Sequence, residues 1–181
     1  MNTPMYNPYA HASQVSVDVK HVKFSDRLLG YYDHAARTIY IASTLSLVYA
    51  ACVLAHELIH AIYEDTAEEM RNPRYRQQAE KRCNHIAALN LMPETRLIDT
   101  LRRYEDPDSW YEAMCVMPWV LKTYLENLTP TQRAYLESKT GRDLSSVNIE
   151  TPISWAVDDC GRLVEVEVPP HKLSPEENGD C

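Results

Sequence analysis

The sequence predicts an α+β fold: a small N-terminal β-sheet packs on two long helices, and further helices and a C-terminal β-hairpin follow. Three patterns support it. Short strand-like stretches come first, two segments of helical periodicity follow between 43 and 93, and proline and turn residues divide the remainder. The length of 181 residues suits one domain with an extension. We expect a domain over 1–150, with its core at about 14–93 and a helical part at 94–150, and a hairpin with an acidic flexible tail over 151–181.

The N-terminal segments carry the strand signals. Residues 1–13 are rich in Pro, Asn and Tyr and are expected to be irregular. Residues 14–24 alternate between valines and polar residues, which favours a half-buried strand. Two short strands are predicted at 28–32 and 38–42, with a turn at 33–36 between them.

The next segment contains the pattern H-E-x-x-H within an apolar run of helical length. Ser43 or Thr44 is the expected N-cap, and the helix should run to about Glu64. Its buried stripe is expected to consist of Leu47, Ala51, Leu54 and Leu58. Because residues four apart share a helix face, His56 and His60 can direct two imidazoles at one point. Two imidazoles with an adjacent carboxylate, Glu57, indicate a zinc hydrolase, although two packed histidines beside a solvated Glu would give the same letters.

A second helix, predicted over 75–91 and ended by Met92-Pro93, offers a third ligand. Glu80 and Asn84 recur at helical spacing in an otherwise apolar row. We expect Glu80 to complete the metal site and Asn84 to accept the far N–H of a ligating imidazole. The alternative is that Glu80 is a solvated residue of the charged run 80–82.

These two segments resemble the ImmA/IrrE family of metallopeptidases. Residues 54–61 match its H-E-L-x-H segment, and 80–93 match its pattern E-x-x-x-N-x-x-A-A-x-x-L-M-P. The resemblance covers about 28–93. Ile59 stands where the family often has a small Gly, and Asn90 stands where an acidic residue is usual.

The resemblance implies a minimal zincin of the gluzincin type that holds one Zn²⁺ ion. His56, His60 and Glu80 would be its ligands, and Glu57 would be the general base. An exposed strand edge beside the metal takes up extended substrates in such folds, and 38–42 is the expected edge.

Family members are commonly phage, mobile-element or stress-response proteins that act on a helix-turn-helix repressor. The resemblance therefore implies a cytoplasmic metalloendopeptidase that cleaves such a repressor. Two alternatives stay open: a non-cleaving antirepressor that binds its partner with a structural zinc ion, and a metal-free scaffold.

A hydrolase of this kind also needs a donor for the oxyanion. The sequence does not rank the candidates, which are Tyr63, Tyr75 and His85 on the helical side and Tyr31, Tyr32 and His34 on the strand side.

The C-terminal half is expected to be mainly helical. Helices are predicted over 95–104, from Asp106-Pro107 onward with a kink or break at Pro118, and from a capping box at Thr129 to Gly141. A hairpin is predicted from 153–157 and 162–168.

Composition limits the possible partners. Lys and Arg number 18 against 26 Asp and Glu, so the formal net charge of -8 argues against direct nucleic-acid binding. The longest apolar stretch, 39–55, is too short for a membrane span, and 1–12 lacks the features of a signal peptide. The five cysteines are scattered, which favours free thiols in a reducing cytoplasm, with Cys52 and Cys83 as small core residues.

Overall fold

The computed structural model describes residues 5–25, 27–149, 153–157 and 162–167. Its strands are β1 (Asp18–Val22), β2 (Leu28–Asp33), β3 (Thr38–Ala42), β4 (Ile153–Val157) and β5 (Leu163–Glu167). Its α-helices are α1 (Pro8–Gln14), α2 (Leu47–Ile62), α3 (Ala67–Met70), α4 (Pro73–Leu91), α5 (Glu94–Arg103), α6 (Trp110–Ala113), α7 (Pro118–Glu126) and α8 (Pro130–Thr140). This mixture confirms the predicted α+β class.

The five described strands form one sheet in the order β1-β3-β2-β5-β4. β1 pairs with β3 in parallel, and the other neighbours are antiparallel. Among the described residues, β5 pairs with β2 at Leu28 and Gly30, with a register shift between them. The turn of the predicted C-terminal hairpin and the expected acidic tail lie outside the described residues.

The helix α2 lies between the sheet and the other helices. Leu54 and Leu58 pack with Ile39 and Ile41 of β3, while Ala55 faces the helical core. Every residue from Cys52 to Ala61 is therefore buried, including the charged and polar ones. A helix that is apolar around its circumference is suited to this central position.

The helix α4 packs against α2 through small side chains. Its buried residues are Ala79, Cys83, Ala87 and Ala88. Small residues let two helix backbones approach closely, so polar side chains between them can reach one another. Asn72 caps the N-terminus of α4 with its side-chain oxygen, and Pro73 occupies the first helical position.

The structure corrects several expectations for the N-terminal half. Residues 8–14 form α1, because the Asn7 side chain accepts from the backbone N–H groups of Tyr9 and Ala10. The N-cap of α2 is Ser46, not Ser43 or Thr44. Leu47, predicted to be buried, is 87% exposed because it begins the helix outside both cores.

The prediction that β3 is the sheet edge is also wrong. β3 pairs with β1 on one side and β2 on the other. The sequence did not indicate that β1 pairs with β3. The helix α1 packs against α2, and β1, which follows it, lies parallel to β3 at the edge of the sheet. β3 therefore offers no free edge for strand addition.

The helical C-terminal half follows the predicted segments. Pro118 begins a new helix, α7, because residues 114–117 between α6 and α7 are not helical. Thr129 and Gln132 form the predicted capping box of α8, and Gly141 ends that helix with a left-handed φ of 71°. Among the described helices, none has the length and apolar composition needed to cross a membrane.

Candidate metal centre

The two histidines of α2 point into the space between α2 and α4. Nε2 of His56 lies 3.1 Å from Nε2 of His60, as their spacing of one helical turn allows. Both rings are buried, at 0% and 4% exposure. Trp119 of α7 stands edge-on to the His56 ring, with centroids 6.2 Å apart, and restricts its rotation.

Glu80 of α4 meets both imidazoles. Its carboxylate oxygens lie 3.2 Å from Nε2 of His56 and 3.4 Å from Nε2 of His60. The alternative of a solvated Glu80 is thus excluded, since its carboxylate oxygens are buried. Burial alone would raise the pKa of Glu80, but the adjacent imidazoles of His56 and His60 outweigh burial and lower the pKa to about 2.

The outer nitrogen of each imidazole is held by an oxygen. Nδ1 of His56 lies 2.9 Å from Oδ1 of Asn84, and Nδ1 of His60 lies 2.7 Å from Oδ2 of Asp65. A carboxylate can only accept, so Nδ1 of His60 carries the hydrogen, and an amide oxygen has the same effect on His56. Each Nε2 therefore presents a lone pair to the other and to Glu80.

Asp65 is a site residue that the sequence did not reveal. Glu64 adopts a left-handed φ of 57° at the end of α2, and this turn brings Asp65 back beside His60. The Asp65 carboxylate also accepts from the Tyr75 hydroxyl and from the Arg82 guanidinium. Burial alone would raise the pKa of Asp65, but the hydrogen bonds from His60, Tyr75 and Arg82 outweigh it and lower the pKa.

These donors fit a small divalent cation. Ligands at about 2.0–2.2 Å in tetrahedral geometry lie roughly 3.3–3.6 Å apart. The two Nε2 atoms lie 3.1 Å apart, and each lies 3.2 or 3.4 Å from one of the Glu80 oxygens, which is close to this range. Burial alone would lower the pKa of His60, but its contacts with Asp65, Cys83 and Glu80 raise that pKa well above the usual value. The surroundings thus favour a positive charge where the lone pairs converge.

Cys83 is buried, as predicted, and it also lies beside the two imidazoles. His56, His60 and Cys83 are all buried, and one donor atom from each lies within 4.8 Å of the others, so this group could bind a metal ion. Cys52, in contrast, is a core residue as predicted, and its sulfur accepts from the backbone N–H of Met117.

Glu57 is buried on the side of α2 that faces the sheet. It is 2% exposed, and its Oε1 has no hydrogen-bond partner among the described residues. Burial raises the pKa of Glu57, against the opposing effect of the two imidazoles and the backbone N–H of Tyr32. Burying a carboxylate oxygen without a hydrogen-bond partner costs free energy of folding. A carboxylate in this environment is suited to proton transfer.

Glu57 and His60 border a cavity of about 480 Å³. Its remaining lining comes from β2, from the turn after it, from the segment around α3 and from β5, namely Tyr31, Tyr32, Asp33, His34, Ala35, Asp65, Thr66, Ala67, Met70 and Arg162. The cavity therefore leads from the surface to the carboxylate and one of the imidazoles.

The candidate oxyanion donors divide into two groups. Tyr31, Tyr32 and His34 line the cavity, and the Tyr32 hydroxyl is buried without a hydrogen-bond partner among the described residues. The helical candidates are not among the residues that line it. Tyr75 donates to Asp65, and the Tyr63 ring lies 4.0 Å from the Arg82 guanidinium. Nδ1 of His85, elsewhere on α4, is buried, and no residue that the structure describes bonds to it.

Comparison with known protein families agrees with this geometry. Residues 13–117, more than half of the chain, match the IrrE N-terminal-like domain of peptidase family M78. The chain belongs to this family. The match confirms the resemblance drawn from the two motifs, and it includes β1 to β3 and both helices of the site. Membership suggests a peptidase of the metal-dependent type. Neither the curated proteins nor the solved structures gave a match to the chain.

Proposed function

We propose that the protein is a zinc-dependent endopeptidase that cleaves one specific protein partner. The observation that carries this proposal is the convergence of three lone-pair donors, His56, His60 and Glu80, beside the buried carboxylate of Glu57, whose Oε1 has no hydrogen-bond partner among the described residues. A protein that only bound a structural ion would have no use for that costly carboxylate.

The chemistry is divided between the ion and the carboxylate. A zinc ion held by His56, His60 and Glu80 would lower the pKa of water and polarise the scissile carbonyl. Glu57 would accept a proton from the attacking water, because its raised pKa brings it closer to neutrality. The same carboxylate would then deliver that proton to the leaving amine.

The substrate would lie along β2. Tyr31, Tyr32 and Asp33 line the cavity, and the backbone N–H of Tyr32 donates to Glu57. An extended peptide in this cavity would have its backbone beside the general base. The Tyr32 hydroxyl, buried and without a hydrogen-bond partner among the described residues, is the candidate donor to the carbonyl oxygen.

We further propose that the partner is a helix-turn-helix repressor and that the reaction occurs in the cytoplasm. A net charge of -8 would attract a basic DNA-binding protein electrostatically. The same charge argues against direct contact with DNA phosphates.

The test is co-incubation of the zinc-loaded protein with any helix-turn-helix protein that is found to be encoded beside its gene. We expect two defined fragments on a gel, with the scissile bond read by mass spectrometry. Glu57→Gln should retain the metal and the fold but lose cleavage, since Gln cannot accept the proton. His60→Ala should lose the metal as well.

The outcome also separates cleavage from displacement. If the repressor leaves its DNA while the gel shows no fragments, and Glu57→Gln acts as well as the wild type, then the protein is an antirepressor and the endopeptidase proposal fails. A metal content of zero by elemental analysis would remove the basis of both.

A further inference from the structure

The buried thiol of Cys83 has polar surroundings that are unusual for a core cysteine. It is 0% exposed, yet it belongs to none of the hydrophobic clusters that the described residues form. Its donor atom lies within 4.8 Å of donor nitrogens of His56 and His60. Cys52, equally buried, belongs to the helical core and serves as the internal comparison.

The position of Cys83 follows from the helix that carries Glu80. The two residues are three apart on α4, so they lie on the same face and reach the same pair of imidazoles. A tetrahedral ion with nitrogen at about 2.0–2.1 Å and sulfur at about 2.3 Å needs a separation of roughly 3.6 Å between these ligands. The observed limit of 4.8 Å exceeds this by an amount that a small side-chain movement can supply.

We propose that Cys83 is an alternative metal ligand, which with His56 and His60 gives this site a second donor set for thiophilic ions such as Cd²⁺. Thiolate selects soft ions, whereas the carboxylate of Glu80 suits harder ones. On binding, the thiol releases its proton to solvent and the sulfur bonds to the ion. The proposal concerns the donor set alone and does not depend on peptidase activity.

The test uses the full chain loaded with one equivalent of Cd²⁺ or Co²⁺. We expect a sulfur-to-metal charge-transfer band in the ultraviolet for the wild type. Cys83→Ser should lose that band and bind Cd²⁺ at least about tenfold more weakly. Cys52→Ser is the matched control and should keep the band, and Glu80→Gln should keep it too, since the sulfur set does not include the carboxylate.

X-ray absorption on the wild type gives the answer without any variant. A sulfur neighbour in the Cd²⁺ spectrum supports the proposal. A shell of nitrogen and oxygen alone overturns it, as does a charge-transfer band that survives in Cys83→Ser or disappears in Cys52→Ser. If Glu57→Gln showed the sulfur signal and the wild type had no peptidase activity, the proposed function would fail while this inference stood.

Discussion

At the scale of single residues, the site depends on which nitrogen of each imidazole holds its hydrogen. Asn84 accepts a hydrogen bond from Nδ1 of His56, and Asp65 accepts one from Nδ1 of His60. Both Nε2 lone pairs are therefore directed at the same point as Glu80. Such outer partners fix the tautomer and orientation of a metal-binding histidine. Asp65 has the larger effect of the two, because its charge also balances the imidazole that it holds.

We expect Asp65→Asn to lower zinc affinity by about 10–100-fold while the fold is kept. The amide is similar in shape but has no charge, and its NH₂ group can face the imidazole instead of an oxygen. Competition with a chromophoric chelator measures the affinity. Asp143→Asn is the control, because Asp143 is exposed and accepts only from Ser145. Equal affinities for the two variants would show that Asp65 does not orient His60.

Two tyrosines near the site should have different roles. Tyr32 lines the cavity, and its buried hydroxyl has no partner in the part of the chain that the structure describes, whereas the Tyr75 hydroxyl donates to Asp65. We expect Tyr32→Phe to lower kcat by up to about 10²-fold with unchanged zinc affinity, as for the loss of an oxyanion donor. Tyr75→Phe should instead weaken zinc binding. Steady-state kinetics together with the zinc titration checks both, and an unchanged kcat in Tyr32→Phe would assign the oxyanion to another group.

At the scale of elements, the contact between β2 and α2 sets the position of the general base. Gly30 allows it: an added Cβ would lie 2.7 Å from Cγ1 of Val53, 3.0 Å from the carbonyl oxygen of Tyr40 and 3.8 Å from Cγ of Glu57. The 2.7 Å separation from Cγ1 of Val53 is far below a normal van der Waals contact, and both Val53 and the Tyr40 backbone are packed inside the protein. A side chain at this position therefore requires Val53 or the contact between α2 and the sheet to shift.

We expect Gly30→Ala to reduce the free energy of unfolding by about 1–3 kcal/mol, the usual cost of overpacking. Urea unfolding measures the change. Val53→Ala removes the nearest atom, so the double variant should lose less stability than the sum of the two single variants. Strict additivity would indicate that the clash is relieved elsewhere.

The elements that sequence predicts well here are those with local signals. The capping box at Thr129 and the left-handed Gly141 define α8 by themselves, and H-E-x-x-H places two imidazoles on one helix face. Leu47 was misassigned because a helical stripe does not show where the helix first meets a neighbour.

Elements whose position depends on distant partners were not predictable in this way. The parallel pairing of β1 with β3 is set by α1 folding back on α2, and nothing within residues 38–42 signals it. Asp65 joins the site only because Glu64 reverses the chain, and Cys83 only because α4 lies close to α2. Each of these contacts is a product of packing, not of local propensity.

At the scale of the whole molecule, the metal site joins two parts of the core. The helix α2 contacts the sheet on one side and α4 on the other, and the imidazoles and Glu80 lie at the second contact. Without a cation, the lone pairs converge in a buried space, which is unfavourable. Metal binding should therefore couple to folding as well as to activity.

Removal of the metal should lower the thermal stability of the whole protein. At a free zinc concentration of 100 Kd, binding adds about 2.7 kcal/mol to the free energy of unfolding. For a chain of this size that corresponds to a decrease in Tm of roughly 5–10 °C on chelation. Calorimetry with and without a chelator measures it. Glu57→Gln should show the full shift, because it retains the ligands, while His60→Ala should show almost none. A chelator-independent Tm in the wild type would mean that the convergent donors do not bind the ion in the folded protein.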